Sequence, residues 1–157
     1  MIMTTNRFLR NPLFATAFFC CLFSCTTTKL SLEEAQRLQS MSAPNEMALV
    51  YFVRPNKFAP TQRMRITCDG AKIGSTQGKQ YIYTIVKPGK HDFVSKAENK
   101  AMLSIVAEAG KIYFIEQVPK PGILKARNEL EGLVEEVGRE KLAKCKLSGD
   151  CPAYAKK

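Results

Sequence analysis

The sequence contains no tryptophan and a single histidine, His91, and it has no acidic residue before Glu33. It also lacks an apolar run long enough to cross a bilayer. The longest, residues 12–24, has about 13 residues, against the roughly 20 a spanning helix needs. These gaps exclude whole classes. No H-E-x-x-H, G-x-S-x-G, S-x-x-K or dinucleotide fingerprint occurs. Residues 74–79 are one residue short of a phosphate loop, with Gln80 where a magnesium-binding Ser or Thr belongs and no helix predicted after it. The cysteines form no paired C-x-x-C set and His91 is distant from them in sequence, so no metal centre or cofactor is expected. His91 reads as a turn residue bonded to backbone, and Asp69 and Asp92 as turn aspartates.

What is present begins with charge. The formal net charge is +10; Arg7 and Arg10 fall in residues 1–24, so 22 of the 24 basic residues remain against 14 acidic ones, a net of +8. The cations are scattered, which reads as a solvated surface or an anion-binding face. Aromatic strands beside them are better explained as core, so nucleic acid is not an expected partner.

Residues 1–10 are cationic and residues 12–24 apolar, the layout of an export signal. The run ends Leu22-Phe23-Ser24-Cys25, which resembles the lipobox of bacterial lipoproteins; Phe23 is larger than that pattern prefers. The resemblance implies cleavage after residue 24, acyl chains on Cys25 and an anchor in the cell envelope. Thr26, rather than Asp, implies the outer membrane, facing the periplasm. Residues 25–46 then form a tether. Within it Ser31-Leu32-Glu33-Glu34 is a capping box, predicting a short helix to about Met41 that packs on the domain or acts as a spacer.

Residues 47–147 read as one β domain. Residues 47–53 are apolar throughout, a central strand covered on both faces. Residues 63–68 alternate, with Met64, Ile66 and Cys68 inward, and Asp69-Gly70 predicts a type I′ turn. Pro88-Gly89 predicts a hairpin between residues 81–86 and 92–97. Strands follow over 102–107 and 112–118. Residues 124–134 are ambiguous: a strand to about Gly132 is favoured over a long helix, with a helix over 135–144 that puts Val137 and Leu142 on the sheet. The expected fold is mainly β, an antiparallel β-sandwich of about seven or eight strands with a C-terminal helix, hairpins dominating. Residues 148–157 are expected as a basic tail.

Residues 51–55 (Tyr-Phe-Val-Arg-Pro), Asp69-Gly70 with Gly74, residues 88–91 (Pro-Gly-Lys-His) and residues 110–114 (Gly-Lys-Ile-Tyr-Phe) occur in this order. Together they resemble a family of bacterial envelope lipoproteins of unknown function, related in pattern to the PEGA-type β-sandwich module. The resemblance implies a sandwich on a lipid tether and assigns no catalytic residue.

In an oxidising compartment Cys145 and Cys151, six apart around a turn-forming segment, are expected to form a disulfide pinning the tail; two thiols in a mobile tail is the alternative. Cys68 is read as a buried thiol, with pairing to a tail cysteine as its rival. The function expected is a non-enzymatic binding or scaffolding lipoprotein, meeting the membrane through Cys25 and an envelope protein, peptidoglycan or anionic lipid through its basic domain. The alternatives are a small envelope hydrolase or transferase using His91, and a secreted effector.

Overall fold

A computed structural model describes residues 30–155. Residues 1–24, Cys25 and the rest of the tether up to Lys29 lie outside the described residues. In chain order the elements are α1 (Leu32–Gln39), β1 (Ala48–Arg54), β2 (Met64–Cys68), β3 (Ala71–Thr76), β4 (Gln80–Val86), β5 (Gly89–Lys96), β6 (Lys100–Ala107), β7 (Ile112–Lys120), β8 (Arg127–Leu133), α2 (Glu135–Ala143), β9 (Lys146–Leu147) and α3 (Pro152–Ala155). The strands form two sheets, ordered β8-β7-β1-β4-β9 and β3-β2-β5-β6.

The apolar strand β1 is buried at every residue and sits at the centre of the larger sheet. Its two faces meet different layers. Phe52 packs edge-on to Phe93 of β5, at 5.1 Å between ring centroids, across the interior between the sheets. Tyr51, on the opposite face, stacks on Phe114 at 5.3 Å and donates from its hydroxyl to the Leu38 carbonyl of α1 at 2.6 Å. The larger sheet is therefore covered by the smaller one on one side and by α1 and α2 on the other. The capping-box helix is docked on the domain, with Ser31 Oγ accepting from the Glu34 amide at 3.1 Å.

Alternation in β2 and the Asp69-Gly70 turn are as expected: Met64, Ile66 and Cys68 are buried, and φ is 50° and 82° at the two turn residues. The Pro88-Gly89 expectation is corrected. β4 and β5 do not pair; the chain steps from the larger sheet to the smaller one there. Three Cα steps from Val86 to Gly89 span about 10 Å, the usual spacing of packed sheets. Each strand has two other neighbours, β1 and β9 for β4, β2 and β6 for β5. Antiparallel pairs dominate, but β1–β7 and β4–β9 are parallel. No helical crossover is needed for β1–β7, because the chain between them builds the second sheet.

Strand β8 and α2 fall where the reading placed them, with one change of contact. Val137 is exposed and Gly138 is the buried residue beside Leu142. A Cβ on Gly138 would sit 2.2 Å from Phe114 Cγ, so glycine sets how closely α2 lies on β7.

The Cys145–Cys151 disulfide expectation is likewise corrected: no bond joins them, and both side chains are buried thiols. The intervening chain is extended along β4 and held by hydrogen bonds. The Ser148 amide donates to the Tyr81 carbonyl at 2.8 Å, Ser148 Oγ to the Ser75 carbonyl at 2.7 Å, and the Ser75 amide to the Asp150 carbonyl at 3.2 Å. Residues 148–151 thus close the seam between β3 and β4 and belong to the domain rather than to a solvated tail.

Candidate functional site

Two surfaces on the smaller sheet gather chemistry. The first is its outer face, which no helix among the described residues covers. Register places Arg65 opposite Lys96 and Lys96 opposite Lys100, a row of three exposed cations across β2, β5 and β6. Among the described residues none of the three makes an ion pair. Like charges directly opposed on a sheet are destabilising, so folding alone does not account for the row.

Clefts of about 650 and 330 Å³ adjoin it, a third of about 460 Å³ shares Arg63 with both, and Lys72 and Lys125 join the linings. The one carboxylate there, Asp150, is bonded to Ser75 Oγ at 2.7 Å and to Lys72 Nζ at 2.9 Å. The Ser75 bond, with Lys72 beside it, holds Asp150 below the usual carboxylate range.

Next to this row projects the β7–β8 loop. Ile123 and Leu124 are 93% and 90% exposed at its tip. Exposed apolar side chains on a loop usually reflect a loosely held chain, but this one is fastened. Glu98 accepts from the amides of Ile123, Leu124 and Lys125 at 3.1, 2.8 and 2.7 Å. Those backbone donors keep the Glu98 carboxyl below its ordinary range. Met102 and Val106 of β6, 67% and 70% exposed, add apolar surface on the same sheet.

The second surface is the β2–β3 turn. Asp69 Oδ1 accepts from the Asp92 amide at 2.9 Å, which turns Oδ2 toward His91 Nδ1 at 2.7 Å. Cys68 Sγ lies 3.5 Å from Asp69 Oδ2 and 3.9 Å from His91 Nδ1. His91 Nε2 donates to the Lys87 carbonyl at 2.8 Å. Both ring nitrogens face acceptors, so the imidazolium satisfies both, and the Asp69 bond raises the His91 pKa. Burial, then the charge of Asp69, pushes the Cys68 thiol up to about 12. Thiol and carboxylate share one ring nitrogen while the other is committed to backbone. A relay with nucleophile and orienting acid on opposite nitrogens is therefore not what these three residues form.

A family model described as "Protein of unknown function (DUF2846)" matches residues 44–128. The chain belongs to this family. An uncharacterized protein of Haemophilus influenzae (strain ATCC 51907 / DSM 11121 / KW20 / Rd) is similar at 25% identity over 154 residues, 94% of this chain and 92% of its own. The family segment carries the cationic row, the Ile123-Leu124 tip and the Cys68-Asp69-His91 turn, and ends at the start of β8 before α2.

Of the residues singled out in the sequence, Cys25 lies outside the described residues. Burial pushes the Cys145 thiol up to about 11, and Cys151 Sγ donates to the Tyr83 carbonyl at 3.6 Å, inside the core. The structure brings together Cys68, Asp69 and His91, which sequence reading kept apart. Asp69 and His91 are 22 positions apart, and only the β2–β5 pairing joins them.

Proposed function

We propose that this protein is a lipid-anchored cell-envelope lipoprotein whose sandwich is a non-enzymatic binding module, and that its smaller sheet lies on anionic lipid headgroups. The observation that carries the reading is the fastened Ile123-Leu124 tip beside the unpaired Arg65-Lys96-Lys100 row. Anionic headgroups neutralise such cations at about 1 kcal/mol each. Large apolar side chains beside them enter the boundary between headgroups and acyl chains. The lipobox-like Leu22-Phe23-Ser24-Cys25 would hold the domain within reach of that surface.

Two measurements test this. Wild type should incorporate labelled palmitate and Cys25→Ser should not; label in the variant removes the anchor. The unlipidated chain from residue 26, which keeps every described element, should co-sediment with vesicles containing anionic lipid and not with neutral ones. Failure with anionic vesicles, or equal binding to both, overturns the headgroup reading and redirects the search to peptidoglycan or a protein partner.

A further inference from the structure

We propose that Cys68, Asp69 and His91 form a binding site for one zinc-type divalent cation. The argument starts from the donor set. A thiolate, a carboxylate and an imidazole together suit a borderline cation such as zinc, and three protein ligands with one open position is a recurrent zinc arrangement. The three donor atoms all lie within 4.8 Å of one another.

Their spacing fits a tetrahedral face. Ordinary zinc bond lengths give sulfur–nitrogen and sulfur–oxygen edges of about 3.6 Å and a nitrogen–oxygen edge of about 3.3 Å. The observed sulfur edges are 3.9 and 3.5 Å. Only the His91–Asp69 edge, at 2.7 Å, is short, because a hydrogen bond now occupies it. The cation replaces that proton, and the edge opens by about 0.6 Å, the difference between the two lengths.

The supports are in place. Ligating histidines usually donate their other ring N–H to a carbonyl or carboxylate, and ligating carboxylates are themselves hydrogen-bonded. His91 Nε2 donates to the Lys87 carbonyl, and Asp69 Oδ1 accepts from the Asp92 amide. Both leave the inward-facing donor atom available. Cys68 is buried while Asp69 is exposed, so the open position faces solvent.

The step balances. Cys68 Sγ and His91 Nδ1 each lose a proton to solvent and each form one bond to the cation; Asp69 binds as the carboxylate it already is. Thiolate, carboxylate and a divalent ion together are neutral, which suits a half-buried pocket.

The test titrates the full chain, reduced and in detergent, with cobalt(II), whose thiolate complexes absorb in the near ultraviolet. One equivalent should produce that band, and zinc should displace it. Cys68→Ser should abolish the band. Asp69→Asn, which keeps a residue tolerant of the positive φ at this turn, should weaken binding by at least the roughly tenfold that loss of a supporting partner costs. Absence of the band, a band unchanged in Cys68→Ser, or equal affinity in Asp69→Asn overturns the site. None of these outcomes bears on palmitate incorporation or vesicle binding.

Discussion

Replacing Ile123 and Leu124 together by serine separates binding from folding. Both side chains are already 93% and 90% exposed, so the folded chain loses almost no buried area when they are removed. Full burial of an Ile or Leu side chain is worth about 1.5–3 kcal/mol. A loop tip reaching only the headgroup boundary buries about half of that, so the pair contributes about 1.5–3 kcal/mol to vesicle binding. That is about a 10- to 140-fold loss of partition at 1.4 kcal/mol per decade. The Glu98 carboxylate holds the loop through the amides of residues 123–125, which serine retains, so the loop keeps its shape. The assay is co-sedimentation of the unlipidated chain with anionic vesicles over a lipid series, paired with thermal melts in the absence of lipid. Unchanged partition would refute the reasoning. So would a melting temperature that falls with the affinity, because the side chains would then be serving the fold.

Four further outcomes follow from the same geometry. Changing Arg65, Lys96 and Lys100 to glutamine should weaken anionic-vesicle binding by up to about 100-fold, from three charges at about 1 kcal/mol each, while raising stability by about 0.5–1 kcal/mol as opposed like charges disappear; vesicle titration and chemical denaturation read the two effects. Glu98 has its pKa lowered by backbone donors, so its hold on the loop is complete above its ordinary value of 4.5 and fades as pH falls through the lower folded value; amide exchange at residues 123–125 should quicken in that acid window and not above it. Arg54 is fully buried and donates to the carbonyls of Phe58, Ala59, Gln62 and Thr76. Arg54→Met strands these acceptors and should cost at least about 3 kcal/mol in a urea melt. Gly138→Ala gains about 1 kcal/mol of helix propensity but drives a methyl into Phe114, for a net loss of about 1–2 kcal/mol by the same measurement.

Much of the fold is legible along the chain because its causes are local. The alternation of Met64, Ile66 and Cys68 requires only that one face be wet. The Asp69-Gly70 turn requires only positive φ at two consecutive residues, and the α1 cap requires only Ser31 three residues before Glu34. Pro88-Gly89 misleads because the same dipeptide serves a hairpin or a step between layers. The choice depends on which strands already flank β4 and β5. Cys145 and Cys151 mislead for a similar reason: their spacing permits a disulfide, but the chain between them is spent bridging β3 and β4.

Residue order thus determined the β character, the Asp69-Gly70 turn, the central apolar strand and the helix after β8, since each follows from chemistry within a few positions. Tertiary structure alone decided the partners. Pairing of β2 with β5 and of β5 with β6 sets three cations in line, and the same β2–β5 pairing brings His91 beside Cys68 and Asp69. Register between distant strands is a property of the whole packed sandwich, in which every inward-facing side chain must find room at once, and no single stretch of chain carries it.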